Sequence, residues 1–166
     1  MIFSPYWNIP PSIIKQEIMP GMAKNAGYLR IHNMEWNGGN VRQKPGKNNS
    51  LGLVKFIFPN SNNIYLHDTP AKSLFNEDNR AFSHGCIRVA QPEELAKKLL
   101  NQLPVWTPEK IDAVMHAGNE RKVVLKKKIP VYIGYFTAFV NSKGQLNFRD
   151  DIYKRDSRLL SFLIKE

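Results

Sequence analysis

From residue 53 onward, apolar and polar positions fall into short, regular runs. Leu53-Val54-Lys55-Phe56-Ile57-Phe58 and Ile64-Tyr65-Leu66-His67 are rich in β-branched and aromatic residues, and Pro59-Asn60-Ser61-Asn62-Asn63 separates them. This pattern predicts a β-hairpin that leaves His67 at a strand end, where a rigid scaffold hands over to a loop. A helix is predicted after Gln91: Pro92 suits the first helical position, and Glu93 and Glu94 face the positive end of the dipole. Leu95, Leu99 and Leu103 make its apolar stripe with Leu100 beside them, and Pro104 stops it. A second helix starts with Thr107 as cap and Pro108 behind it, carries Ile111, Val114 and Met115 on one face and ends at Gly118. The last third reads as strand. Lys122 to Leu125 and Val131 to Val140 are apolar, the latter on both alternations, which predicts a central strand. Asn141-Ser142-Lys143-Gly144 turns the chain into a half-exposed strand over 145–149, and Leu159, Leu160, Phe162 and Leu163 mark a short helix near the end.

The first fifty residues are less regular. Prolines at 5, 10 and 11 keep Ser4 to Pro11 extended. Ser12 is placed to cap a helix of two turns whose Ile14 and Ile18 stack and which Pro20 ends, with a further helical piece over 21–28. Arg30 to Ser50 is polar and rich in Asn, Gly and Lys, longer than an ordinary connection. Residues 12–50 therefore read as a helical, loop-rich insertion, either a functional lid or surface decoration. Met1-Ile2-Phe3 reads as the tail of a strand, so the expectation is an N-terminally truncated domain whose first strands are missing.

Composition bounds the rest. At 166 residues the chain is expected to be one unit, 1–166, with a core that needs no staples. Twenty-four Lys and Arg against 14 Asp and Glu give +10, which fits either a polyanionic or carboxylate-rich partner or a merely soluble basic surface. No run has the length of a membrane span, and the start lacks the pattern of a signal peptide. The single cysteine cannot form an intramolecular disulfide, so it packs or reacts.

Its neighbours argue for reaction. Cys86 sits within Ser83-His84-Gly85-Cys86-Ile87-Arg88, and His67 lies 17 residues upstream of His84. A cysteine nucleophile needs a base or a cation to become a thiolate, and His67 and His84 are the candidate bases. Gly85 lets backbone N–H groups approach an oxyanion, and Arg88 presents a fork suited to a carboxylate. The pocket suits acyl transfer from a carboxylate-bearing peptide. A buried structural cysteine, and a metal held by His67, His84 and Cys86 with Asp68, His116 or water as a fourth ligand, are the competing readings. His32 and His116 have no such neighbours and read as surface or packing residues.

These residues resemble a family. The cysteine motif, preceded by Ile64-Tyr65-Leu66-His67-Asp68-Thr69-Pro70, resembles the signature of the L,D-transpeptidase (YkuD-type) catalytic domain. Pro5-Tyr6-Trp7-Asn8-Ile9-Pro10-Pro11-Ser12 and Phe148-Arg149-Asp150-Asp151-Ile152-Tyr153 are similar to its larger, periplasmic murein-crosslinking subfamily. The resemblance implies a mainly β fold: a mixed, bent, sandwich- or barrel-like sheet with flanking helices, in which 12–50 caps the substrate. It implies peptidoglycan tetrapeptide stems as substrate, with release of D-Ala and 3→3 cross-links, and neither cofactor, metal nor nucleic-acid partner. Cys86 would be the nucleophile, and His67 its base, oriented by a backbone carbonyl near Asp68. His84, Gly85 and Cys86 would form the oxyanion region, Arg88 would order the pocket or bind a carboxylate, and Tyr65 and Ser83 would line it. The implied location is the periplasm or cell envelope, and the thiol is expected to be acylated by carbapenems. An L,D-carboxypeptidase and a non-catalytic peptidoglycan-binding module are the alternatives.

Overall fold

The computed structural model describes residues 1–82 and 85–164. They fall into two compact units, 1–128 and 129–166.

The first unit is built on an open, mixed sheet of five short strands: β1 (Ile2–Phe3), β5 (Val54–Ile57), β6 (Tyr65–His67), β7 (Ile87–Arg88) and β8 (Arg121–Lys122). Their order is β7-β6-β5-β1-β8, with β6 and β7 parallel and the other pairs antiparallel. The expected hairpin is β5 and β6, in the register Lys55 opposite His67 and Ile57 opposite Tyr65. Because side chains alternate, one sheet face carries Val54, Phe56 and Leu66, and the other Lys55, Tyr65, His67 and Arg88.

The apolar face packs on two helices, α4 (Pro92–Leu100) and α5 (Pro108–His116), forming a core of Phe3, Val54, Phe56, Ala96, Leu100, Ile111, Val114 and Met115. In α5 the Thr107 hydroxyl accepts from the Lys110 N–H, as a capping residue should. In α4 the buried stripe runs Pro92, Ala96, Leu100, with Leu95 and Leu99 only half-buried. The expected leucine stripe is thus turned by one residue, because a close approach to the sheet favours the small Ala96. At the far end of α5, Ser4 donates its hydroxyl to the Val114 and Met115 carbonyls, satisfying acceptors that a helix C-terminus leaves open.

Residues 7–50 build a second, smaller core. The extended entry segment provides β2 (Trp7–Asn8), which pairs with β4 (Asn40–Gln43), itself paired with β3 (Met34–Asn37). This hairpin, turning at Gly38-Gly39, replaces the loop expected over 30–50. The helix at the start of this region does not stop at Pro20 either. It runs as α1 (Pro11–Ile13), a π-helical turn (Ile14–Ile18) and α2 (Met19–Lys24), and is followed by α3 (Tyr28–Ile31). The wide π turn leaves a place for a residue without an N–H, and it also sets which side chains align: Ile13 and Ile18, five apart, are buried, whereas Ile14 is not. The N-cap position is Pro10, and Ser12 makes no cap bond. Ile9, Ile13, Ile18 and Val41 form the core of this cap, with Trp7, Met22, Tyr28 and Met34 around it.

The second unit has a two-stranded sheet, β9 (Ala138–Val140) with β10 (Leu146–Phe148), and the helix α6 (Asp156–Leu163). Asp151 begins that helix by accepting from the Arg155 and Asp156 N–H groups, which hold its pKa below the usual carboxylate range. The long central strand expected over 131–140 is confined to 138–140, since a two-stranded ribbon cannot cover a run that is apolar on both alternations.

Candidate active site

The polar face of the sheet becomes a site where β6 and β7 run side by side. Leu66 pairs with Ile87 and His67 with Arg88, so stepping back one residue sets Cys86 beside Tyr65. Tyr65, His67, Cys86 and Arg88 line a cavity of about 450 Å³ whose opposite wall is the cap: Trp7, Ile18, Tyr28, His32 and Gln43 contribute to it. A second cavity of about 330 Å³ opens on the other side of Cys86, walled by Leu74 and Phe75 of a 3-10 turn (Lys72–Asn76) and by Ile87. Phe82, Cys86 and Arg88 line both cavities.

His67 is buried, and its Nδ1 lies in hydrogen-bond contact with the backbone carbonyl of Asp68. A carbonyl only accepts, so Nδ1 carries the proton and Nε2 is left with a free lone pair. Burial holds the imidazole pKa below its ordinary value and the Arg88 charge adds to this, against the opposing pull of the Asp68 carbonyl and carboxylate. The ring is therefore neutral at pH 7 and able to take a proton.

Cys86 is half-buried and forms no disulfide. The Tyr65 hydroxyl is hydrogen-bonded to it, and the phenol pKa is raised by burial and by the thiol's negative charge. Tyr65 thus stays protonated and can donate to a thiolate. Gly85, next to it, has φ +125°, a backbone state that costs side-chain-bearing residues strain. Arg88 spends one nitrogen, Nη2, on the Phe82 carbonyl at 3.4 Å. Its Nε and Nη1 are buried without a hydrogen-bond partner among the described residues. Two unsatisfied guanidinium donors are costly in the free protein, and the side chain lines both cavities with a permanent positive charge that suits a carboxylate.

Asp68 has a different part. Its carboxylate lines neither cavity; it accepts from the Leu53 N–H at 2.8 Å and the Thr69 N–H at 2.7 Å, and pairs with Lys72. Lys72 also reaches the Val89 and Ala90 carbonyls at the end of β7, which joins the chain after His67 to the chain after Cys86. Ser83 and His84 lie outside the described residues, and so does any role for them. Among the described residues no three His, Cys, Asp or Glu side chains converge to hold a metal ion, and no helix is long and apolar enough to cross a membrane.

Against known proteins, the family model for the YkuD L,D-transpeptidase catalytic domain matches residues 1–133. The chain belongs to the L,D-transpeptidase catalytic domain family. It is also similar to a protein of Haemophilus influenzae named "Putative L,D-transpeptidase", 32% identical over 180 aligned residues that cover 96% of this chain and 36% of that one. The chain thus spans about a third of the length of this curated relative.

Several residues that shape the larger cavity or hold the cap against it carry no signal in the motif. His32 is exposed and packs at a 40° tilt on Tyr28, ring centroids 4.2 Å apart, as a surface or packing residue would, but it also lines the larger cavity. Asn49 is fully buried: it donates to the Pro5 and Lys44 carbonyls and accepts from the Leu51 N–H, tying the cap to the entry segment. Gln43 fastens the same loop through the Ser50 N–H and the His32 and Asn48 carbonyls. Their signal is weak but readable: a long Asn-rich loop must satisfy its own backbone if it is to be buried.

Proposed function

We propose that the chain is the catalytic domain of a cysteine-dependent L,D-transpeptidase that forms 3→3 cross-links between peptidoglycan stems in the periplasm or cell envelope. The observation that carries this reading is the pair of cavities meeting at Cys86, which gives an acyl donor and a second strand separate approaches to one thiol.

In the proposed cycle His67 Nε2 takes the thiol proton, and the Cys86 sulfur adds to the carbonyl that joins meso-diaminopimelate to the terminal D-Ala of a tetrapeptide. The oxyanion forms at the backbone N–H groups around Gly85 and Cys86. As the tetrahedral species collapses, the C–N bond breaks, the imidazolium returns the proton to the departing amine, and D-Ala leaves a thioester on Cys86. A side-chain amine from another stem then attacks the thioester, loses its proton to His67 and releases the thiolate. Arg88 holds a substrate carboxylate, and Tyr65 donates to the sulfur while it is charged. The part the motif implies for Ser83 and His84, in the oxyanion region, rests on the sequence alone.

Water in place of the amine would make the same domain an L,D-carboxypeptidase. The test is to incubate the protein and Cys86→Ala with tetrapeptide stems and read products by mass. Cross-linked dimer plus D-Ala from the wild type, and neither from the variant, supports the reading. D-Ala with monomer alone points to hydrolysis, and binding without turnover by either protein overturns catalysis in favour of a peptidoglycan-binding module.

A further inference from the structure

One charged side chain on the polar sheet face is not used in this cycle. Lys55 stands in the middle of β5, directly across the ladder from His67 and diagonal to Tyr65. It is half-buried and lines neither cavity, so it does not reach a substrate lying in them. Its ammonium lies 5.8 Å from the centroid of the Tyr65 ring and donates to the Tyr6 carbonyl at 3.3 Å. Glu120 accepts from the N–H of the same Tyr6 at 2.9 Å, so an anion and a cation grip one residue of the entry segment.

That grip explains why the ammonium is held in place, but not why a lysine is buried on this side of the sheet. A methylene stem and a neutral donor would serve Tyr6 equally well. The distinguishing feature is what lies in front of the charge: a phenol whose hydroxyl is bonded to the only thiol in the chain. A cation over the aromatic ring polarises the O–H toward the sulfur and attracts a negative sulfur directly. We propose that Lys55 is a positioning residue for the nucleophile, biasing Cys86 toward its thiolate from behind Tyr65. The direction of its own titration agrees: burial lowers the Lys55 pKa, while Glu120 and Cys86 pull it back up.

Among the described residues, the other charged or titratable groups around the thiol are Tyr65 and His67 from β6, Arg88 from β7 and Arg80 from the preceding loop. Glu17 and His32 face it from the cap, and Glu120 faces Lys55 from the segment before β8. All of these are common to the proteins compared below, so a difference between them reports Lys55. The inference rests on Cys86 being the nucleophile proposed above, but its test needs no cell-wall substrate.

The experiment is alkylation by iodoacetamide, in which the thiolate displaces iodide to form a thioether, followed across pH 5 to 10. In Lys55→Met the midpoint of the rate profile is expected to rise by about one unit, a roughly tenfold slower reaction below the midpoint, and in Lys55→Arg to return close to wild type. A midpoint unmoved in a folded Lys55→Met protein overturns the proposal and leaves Lys55 as an anchor for Tyr6. The reciprocal measurement avoids any risk to folding from changing Lys55. In Cys86→Ser, NMR of the lysine side chains is expected to show Lys55 titrating at lower pH than in the wild type, and identical titrations overturn the proposal equally. A protein that passes both tests yet fails to cross-link stems would sink the transpeptidase reading and leave this one standing.

Discussion

Gly52→Ala tests whether His67 is held by the backbone around it. Gly52 has φ +60°, and a Cβ placed there would lie under 3.0 Å from the Cβ, Cγ and Oδ2 atoms of Asp68, a separation real structures do not show. Neither partner can step aside. Gly52 donates to the Asn49 carbonyl at 2.8 Å, Leu53 accepts from the Ser4 N–H at 2.8 Å, and the Asp68 N–H donates to Val54 at 2.9 Å. The left-handed backbone costs alanine about 1–2 kcal/mol. Pushing the Asp68 carboxylate off the Leu53 or Thr69 N–H costs about 1.5–3 kcal/mol for a charged, buried bond. The expected loss is about 2.5–5 kcal/mol, a large share of the 5–15 kcal/mol by which ordinary domains are stable. Urea denaturation of Gly52→Ala against wild type reads it directly. Repeating the change in an Asp68→Gly background, where the obstructing atoms are gone, should leave only about 1–2 kcal/mol. A loss below about 1 kcal/mol in the wild-type background, or the same loss in both, would refute the reasoning.

Two further outcomes follow from the same geometry. His67 is held neutral, with a pKa below the value near 6.5 it takes in an unfolded chain. Between those two pH values the unfolded chain binds more protons, so this part of the stability is complete above about pH 6.5 and is lost as pH falls toward the folded value. His67→Gln should flatten the stability curve over that window, and a curve with unchanged slope would contradict the assignment. Asn49→Ala removes three hydrogen bonds of a fully buried side chain at once and should cost about 2–4 kcal/mol, with earlier proteolytic cleavage between the cap and the sheet. Wild-type resistance to protease would show that Asn49 does not fasten the cap.

What the sequence discloses depends on how local the physics is. The β5 and β6 hairpin and the start of α5 were legible because alternation and the Thr107-Pro108 cap act within a few residues. Cys86 and His67 stand out as candidates for chemistry through residue type and spacing, but the parallel pairing of β6 with β7 that puts Tyr65 beside the thiol does not. The cap misled at Pro20, because a π turn changes the helical period that the reading assumed. Its hairpin over 34–43 was hidden by polar residues, although Gly38-Gly39 between Met34-Glu35-Trp36-Asn37 and Asn40-Val41-Arg42-Gln43 is a turn signal. The run over 131–140 misled in the opposite sense, its apolar residues suggesting more pairing than β9 makes. Gly52, Asn49 and Lys55 were invisible for a common reason. Each matters through a partner distant in sequence, respectively Asp68, Pro5 and Tyr65.

The central claim is that Cys86 carries the acyl group, and intact-protein mass measured after acid quench tests it most directly. With a tetrapeptide stem the account predicts a mass increase equal to the stem less D-Ala, mapped by peptide digestion to Cys86 and absent from Cys86→Ala. D-Ala release without that adduct under any quench time, or an adduct that persists in Cys86→Ala, would contradict it.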